Sequence, residues 1–157
     1  MKRYLSLLAM ASLACLVLPA HAVDAQAADD HTFAEHAALV KSVTGVVKVT
    51  RQHDTFDATG GTTLRVSDRV VTAPGASAAI VFRDGTLLTL GSGADVLVRD
   101  YVFAPRDNKY AFSLYLTKGS AVYESGKIGK LSPESVKFET PKATVGVRGT
   151  RFLIEAN

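Results

Sequence analysis

The chain has 157 residues, a formal net charge of +3, and hydrophobic residues at 47% of its positions. This is enough apolar sequence to form one domain with a buried core. The small net charge and the absence of tryptophan exclude the strongly basic, aromatic-rich surface of a nucleic-acid-binding protein, so we expect no nucleic-acid partner.

Residues 1–22 are predicted to be a cleavable signal peptide. Lys2 and Arg3 precede an apolar run at 5–18, and the sequence AHA at 20–22 has the small-x-small pattern of a cleavage site. The apolar run is shorter than the roughly 20 residues that a membrane-spanning helix needs. We therefore expect export to the periplasm, a mature chain that begins at Val23, and no membrane span after cleavage.

Cys15 raises a second interpretation, a lipoprotein acylation site. Ser12 stands where such sites usually have leucine, and the apolar run continues past the cysteine. Cleavage after Ala22 fits its flanking residues better, so a lipid anchor at Cys15 is not expected. Because cleavage would remove the only cysteine, the mature chain would have no disulfide.

Residues 23–38 are rich in alanine, aspartate and histidine and show no strand pattern, which predicts a tail or a short N-terminal helix. From Leu39 onward, short apolar runs alternate with turns of Gly, Asp, Pro and Asn. Residues 39–157 are therefore predicted to form one all-β domain. We expect about nine short strands and little helix, arranged as a sandwich, a roll or a short β-solenoid.

The first predicted strand covers 43–51, and a loop or irregular hairpin follows at 52–62. Residues 64–72 follow, with Val70 and Val71 in the strand and Asp68 at the bend before it. An alternating strand at 78–82 then leads into Asp84-Gly85, a pair that predicts a type I′ hairpin turn. Turn chemistry accounts for Asp84 better than a catalytic carboxylate does.

The clearest predicted strand covers 110–117 and places Phe112, Leu114 and Leu116 on one buried face. Lys118-Gly119 is predicted to end this strand. A loop is expected at 125–134, and a half-buried strand begins at Val136.

The stretch at 140–152 reads TPKATVGVRGTRF. Gly146 and Gly149 bracket Val147 and Arg148, so a shaped turn is predicted to aim the arginine. The five guanidinium donors of Arg148 could grip a carboxylate or phosphate. They suit loop carbonyls equally well, and we expect this structural role, in which Arg148 pins the turn.

The residues predicted to bind a partner are Arg148, Arg151 and Lys142. They belong to a locally basic C-terminal third of the chain. Such charges are ordinarily a solvated face, and the alternative is a surface for lipid headgroups or cell-wall polymers.

Several motifs, in order and spacing, resemble the FecR domain, the periplasmic module of bacterial iron-transport signalling regulators. The matching residues are Gly45 and Val47, then Leu64, Asp68 and Thr72, then Asp84 and Gly85, then Leu114, Leu116, Gly119 and Val122, and finally all of 140–152. Ser67 departs from the glycine usual in the family. The inner-membrane regulators also carry an anti-sigma segment and a membrane helix. This sequence instead predicts a stand-alone secreted FecR-like protein, so the sigma-factor circuit is not carried over.

The sequence predicts no catalytic residue, no metal ligand and no cofactor. It lacks a Gly-x-Ser-x-Gly elbow and a His-Glu-x-x-His pair. His31, His36 and His53 lack the compact spacing of a metal site.

We therefore predict a non-enzymatic periplasmic binding module of the FecR type, in envelope or iron-transport signalling. Its expected partner is an envelope protein that adds a strand to an exposed sheet edge, or a cell-wall polymer. The alternative is a small envelope carbohydrate-binding protein or carbohydrate-active enzyme. Tyrosines that could form a sugar platform are better explained as strand residues. They are Tyr101, Tyr110, Tyr115 and Tyr123.

Overall fold

Alternating apolar and polar residues produce strands along almost the whole chain from Ala38 to Ala156. The structure is a computed structural model that describes residues 36–157. It is 58% strand and 9% helix, and it forms a curled antiparallel sheet, a half-barrel. The all-β fold class is therefore confirmed. The predicted signal peptide, Cys15 and His31 lie outside the described residues.

Twelve strands and one short α-helix follow each other in the described chain. They are β1 (Ala38–Thr44), β2 (Val47–Arg51), β3 (Asp54–Asp57), β4 (Thr63–Leu64), β5 (Arg69–Thr72), β6 (Ser77–Phe82), β7 (Leu87–Leu90), β8 (Asp95–Ala104), β9 (Lys109–Glu124), α1 (Lys127–Leu131), β10 (Val136–Glu139), β11 (Thr144–Gly146) and β12 (Arg151–Ala156). Single 3₁₀ turns lie at Pro105–Asp107 and Pro133–Ser135.

Strand β9 holds the sheet together. Its first part pairs with β8 on one side and, in parallel, with β10 on the other. Its last part pairs with β7 on one side and with β12 on the other. The sheet therefore runs β3-β2-β5-β8-β9-β7-β6-β1-β4, while β10, β11 and β12 lie along the second side of β9.

The prediction that Lys118-Gly119 ends a strand is wrong, because β9 continues through both residues and bends. Gly119 has a φ of +85°, and a Cβ there would lie 2.5 Å from the Cα of Ala94. The rings of Phe112 and Tyr123 are 5.7 Å apart. A straight strand would separate them by about 36 Å. Strand β9 therefore folds back on itself, and this bend closes the half-barrel around its core.

The core lies inside the curl and is centred on aromatic rings. Phe112 contacts Phe82, Tyr101, Tyr123 and Phe138 with ring centroids 4.8 to 6.1 Å apart. The prediction that Phe112, Leu114 and Leu116 are buried is confirmed, since each is 1% exposed.

Two other local predictions are wrong. Residues 43–51 are not one strand, because the chain turns at Gly45, which has a φ of +74° and lies against Ala76. Residues 125–134 are not a plain loop, because they contain α1, which inserts Ile128 into the core. The described chain has more strands than expected partly because the first predicted strand is divided.

The turn at Asp84-Gly85 is not type I′, because Gly85 has a positive φ and Asp84 does not. Gly85 N donates to Phe82 O at 2.9 Å, and Phe82 N donates to Thr86 O at 2.9 Å. This is a three-residue hairpin loop with glycine at its left-handed position.

Asp84 has a structural role that extends beyond the turn. Its buried carboxylate accepts hydrogen bonds from Thr86 N, Thr86 Oγ1 and Ile128 N, at 3.2, 2.7 and 3.1 Å. Its backbone N–H donates to the Tyr101 hydroxyl at 2.8 Å. Burial, followed by the Asp84 charge, raises the pKa of Tyr101. Tyr101 is therefore a neutral hydrogen-bonding group that helps to join the hairpin to the core.

Asp84→Ala is expected to lower the free energy of unfolding by about 1–3 kcal/mol, because buried donors of Thr86 and Ile128 lose their acceptor. Urea denaturation measures this change. The control is Asp57→Ala, which removes an exposed carboxylate paired with Lys48 and should change stability by about 1 kcal/mol or less. Equal effects of the two substitutions would contradict the structural role of Asp84.

Candidate interaction surface

The closing motif begins with a tight turn between β10 and β11. Thr140 N donates to Ala143 O at 2.8 Å. The Thr140 hydroxyl accepts hydrogen bonds from the backbone N–H groups of Lys142 and Ala143, at 3.3 and 3.0 Å. Threonine and proline thus set the hairpin geometry and leave the Lys142 side chain exposed at the turn.

Strand β11 is an open edge of the sheet, since it pairs only with β10 in the described chain. Thr140 N bonds Ala143 O at one end of this ladder, and Val147 N bonds Val136 O at the other. Hydrogen-bonded pairs alternate along an antiparallel ladder. The backbone N–H and C=O groups of Thr144 and Gly146 therefore face away from β10.

The loop after β11 crosses from the β10 side of the half-barrel to the β12 side. Val147 packs against the core before the crossing. Phe152 packs after it, with its ring 5.1 Å from Tyr123 and 5.0 Å from Phe138. Thr150 O accepts from Ser125 N at 2.7 Å. These anchors fix both ends of the crossing and leave its middle in solvent.

Arg148 lies in the middle of this crossing and is exposed. Its guanidinium makes none of the predicted hydrogen bonds to loop carbonyls within residues 36–157. Gly146 and Gly149 have no positive φ, and a Cβ at either position would meet no atom within 4 Å. The loop is therefore shaped by Val147 and Phe152, and the glycines do not create the aimed turn that the sequence predicted.

Arg148 lines two shallow depressions, of about 330 Å³ and 240 Å³. The larger also contains Glu134. The Ser132 hydroxyl donates a hydrogen bond to the Glu134 carboxylate, which lowers the pKa of that carboxyl. Arg148 and Glu134 form no ion pair in the described structure. The depression therefore offers both a cation and a carboxylate to a ligand, and sequence reasoning missed Glu134.

The structure places the three predicted binding residues along one continuous segment. Lys142 precedes β11, Arg148 follows it, and Arg151 begins β12. Lys142 makes no side-chain hydrogen bond or ion pair within the described range. Arg151 Nε lies 3.2 Å from Glu124 Oε1, with both side chains partly in solvent. Lys142 and Arg148 thus flank the open edge of β11.

Three of the four tyrosines considered for a sugar platform are buried or have a ring face covered, and the described residues contain no metal cluster. Tyr101 and Tyr123 are buried, and the guanidinium of Arg99 covers the ring of Tyr115 at 4.8 Å. No group of three or more His, Cys, Asp or Glu side chains within 36–157 could hold a metal ion. In the same range, no helix has the length and apolar character to cross a membrane.

A protein-family model described as FecR protein matches residues 68–157. This range is more than half of the chain and contains Asp68, Asp84, Gly119 and the complete closing motif. Gly45 and Leu64, which also fit the pattern, lie before it. No curated protein and no solved structure gives a significant match to the chain.

Proposed function

The chain belongs to the FecR family, a family of non-enzymatic signalling or regulatory modules, and on this premise we propose that it is a periplasmic interaction module that binds an envelope protein by strand addition at β11. In this role it would transmit a signal within the envelope, and iron-transport signalling is the process that the resemblance suggests.

The observation that carries the proposal is the open edge of β11. Thr144, Val145 and Gly146 are all exposed, and the backbone groups of Thr144 and Gly146 face solvent. An extended peptide can satisfy such groups by pairing as an additional strand. Anchoring at Val147 and Phe152 holds the edge in place, so a partner would meet a preformed template.

Charge selects the kind of strand that fits this edge. Lys142 and Arg148 stand at its two ends, and neither cation is neutralised by an ion pair in the described structure. An acidic segment would therefore be favoured, because complementary charge raises the association rate and disfavours basic competitors. Arg148 could also bind a partner carboxylate in a bidentate manner.

Photo-crosslinking in living cells tests the proposal. A photo-reactive amino acid at position 144 is expected to capture one envelope protein, identified by mass spectrometry of the crosslinked peptide. The matched control is the same group in place of Thr55, which is exposed on another edge strand, β3. Capture of the same products at both positions, or of cell-wall fragments alone, would contradict strand addition at β11.

Thr144→Pro should reduce capture of the partner by about tenfold or more, since proline removes an outward N–H that an added strand would need. The β10–β11 ladder does not use this N–H, so the denaturation midpoint should change little. Thr55→Pro is the matched control. Ala58 N donates to Val47 O, and hydrogen-bonded pairs alternate along the ladder between β2 and β3, so the N–H of Thr55 also faces away from its partner strand. A pull-down with tagged protein measures capture. Equal loss in both variants would oppose the assignment.

Arg148→Glu should weaken capture but change the free energy of unfolding by only about 0.5 kcal/mol or less, because the arginine has no structural partner among residues 36–157. Capture by the wild-type protein should also fall as salt is added. A large loss of stability would instead restore the turn-pinning role of Arg148.

A further inference from the structure

Strand β12 is another open edge of the sheet, in addition to β11. It pairs only with β9 among the described strands. Ser125 N donates to Thr150 O at the start of this ladder, so alternation turns the backbone groups of Arg151, Leu153 and Glu155 away from β9. Leu153 is 63% exposed, more than any other large hydrophobic residue in the described chain.

This edge lacks the prolines, lysines and bulges that commonly block edge pairing, and its charged residues are one cation and one carboxylate. It contains no proline and no bulge, and it presents an apolar residue at its centre. Natural sheets commonly protect exposed edges with proline, lysine or bulges to prevent association. A six-residue edge without these features and with a central leucine is therefore suited to pairing with another strand.

The side chains along the edge identify that strand. The three outward residues are a cation, an apolar residue and a carboxylate, namely Arg151, Leu153 and Glu155. In an antiparallel second copy the same order runs in the opposite direction, so each cation can lie opposite a carboxylate. We propose that a second copy of this chain pairs antiparallel with β12 and forms a twofold-symmetric dimer.

One register satisfies both the backbone and the charges. With Leu153 opposite Leu153 of the partner subunit, Arg151 lies opposite Glu155 of the partner subunit, and the reverse pair follows by symmetry. Every outward N–H and C=O of these residues then has a partner. A shift by two residues places Leu153 opposite Arg151 or opposite Glu155, depending on its direction, and a shift by four places like charges together.

The existing ion pair of Arg151 is compatible with the dimer. Its Nε contacts Glu124, and the other guanidinium donors remain for a second carboxylate. Arg151 would then stand between Glu124 on β9 and Glu155 of the partner subunit. The inference goes beyond the proposed function, since it uses the edge of β12 and not the edge of β11.

The first test is analytical ultracentrifugation, over a range of concentrations, of the protein purified from the periplasm. The wild-type protein is expected to form a dimer, and Leu153→Pro is expected to be monomeric. The N–H of residue 153 faces away from β9, so its loss should leave the folded monomer intact, which circular dichroism checks. A monomeric wild type, or a dimer that survives Leu153→Pro, would overturn the proposal.

The second test fixes the register. Arg151→Glu and Glu155→Arg should each weaken self-association by about tenfold or more, because each places like charges opposite one another. An equal mixture of the two variants should recover association as a heterodimer, since every opposed pair is then complementary. Lys41→Glu, the control, makes the same charge change on β1, which β6, β7 and β9 separate from β12, and should leave the dimer intact. Failure of the mixture to recover would overturn the register.

The dimer and the proposed function can fail independently. Thr144→Pro should still form the dimer, and Leu153→Pro should still capture the β11 partner. Loss of both properties in either variant would mean that one surface serves both interactions, and the separate β12 dimer would be wrong.

Discussion

Phe112→Ala should lower the free energy of unfolding by about 3–5 kcal/mol, the largest effect expected of any side-chain truncation in this protein. Phe112 is 1% exposed and touches four other aromatic rings. It lies on β9 where the two halves of the sheet face each other. Truncation would therefore open a cavity between both halves, which neither half alone can fill.

The matched control for this prediction is Phe56→Ala. Phe56 is 37% exposed on β3, and its ring contacts only the guanidinium of Arg51 among the aromatic and cationic groups described. We expect it to cost about 1 kcal/mol. Urea denaturation of both variants measures the difference, and similar costs would mean that the aromatic core has been placed wrongly.

Gly119→Ala should be the most damaging addition of a single methyl group. The new Cβ would lie 2.8 Å from Ala94 N and 2.9 Å from Gly93 O, and the φ of +85° disfavours any L side chain. Strain and overpacking together should cost about 3 kcal/mol or more. The neighbouring backbone lies in the turn immediately before β8, so relief would require this turn and β9 to move apart.

Gly149→Ala is the control for the same chemical change. A Cβ at Gly149 would meet nothing within 4 Å, and its φ is not positive. Its effect on the denaturation midpoint should be close to zero. If Gly149→Ala lowered stability as much as Gly119→Ala, then the close contacts at the bend in β9 would not explain the cost of Gly119→Ala.

The strand faces were predictable because alternation is a local property of sequence. Phe112, Leu114 and Leu116 occupy every second position, and this period alone places them on one face. The bend at Gly119 was not predictable in the same way. Its cause is the close approach of Ala94, which is distant in sequence, so a local pattern shows the glycine without showing whether the strand stops or turns.

Helix α1 was missed for a related reason. It has five residues and one buried apolar side chain, Ile128, too few for a helical period to appear. Its position depends on the carboxylate of Asp84, which accepts from Ile128 N at 3.1 Å. The sequence assigned Asp84 to a local turn, and its contact with a segment more than forty residues away required the fold.

The location of the candidate surface was predicted, but the backbone groups that would bind a partner strand were not. Lys142, Arg148 and Arg151 were singled out from the basic C-terminal stretch. The outward backbone groups of Thr144 and Gly146 follow instead from the register between β10 and β11. Register is a property of paired strands, so sequence reasoning could name the cations without showing the edge between them.

Amide hydrogen exchange is the most direct test of strand addition at β11. It should be measured with and without a synthetic peptide. The peptide has the sequence of the partner segment that the photo-reactive group at position 144 captures. We predict that the peptide protects the amides of Thr144 and Gly146, because these face the added strand. The amide of Val145, which faces β10, should not change. Binding of the peptide with no added protection at Thr144 and Gly146 would contradict the account.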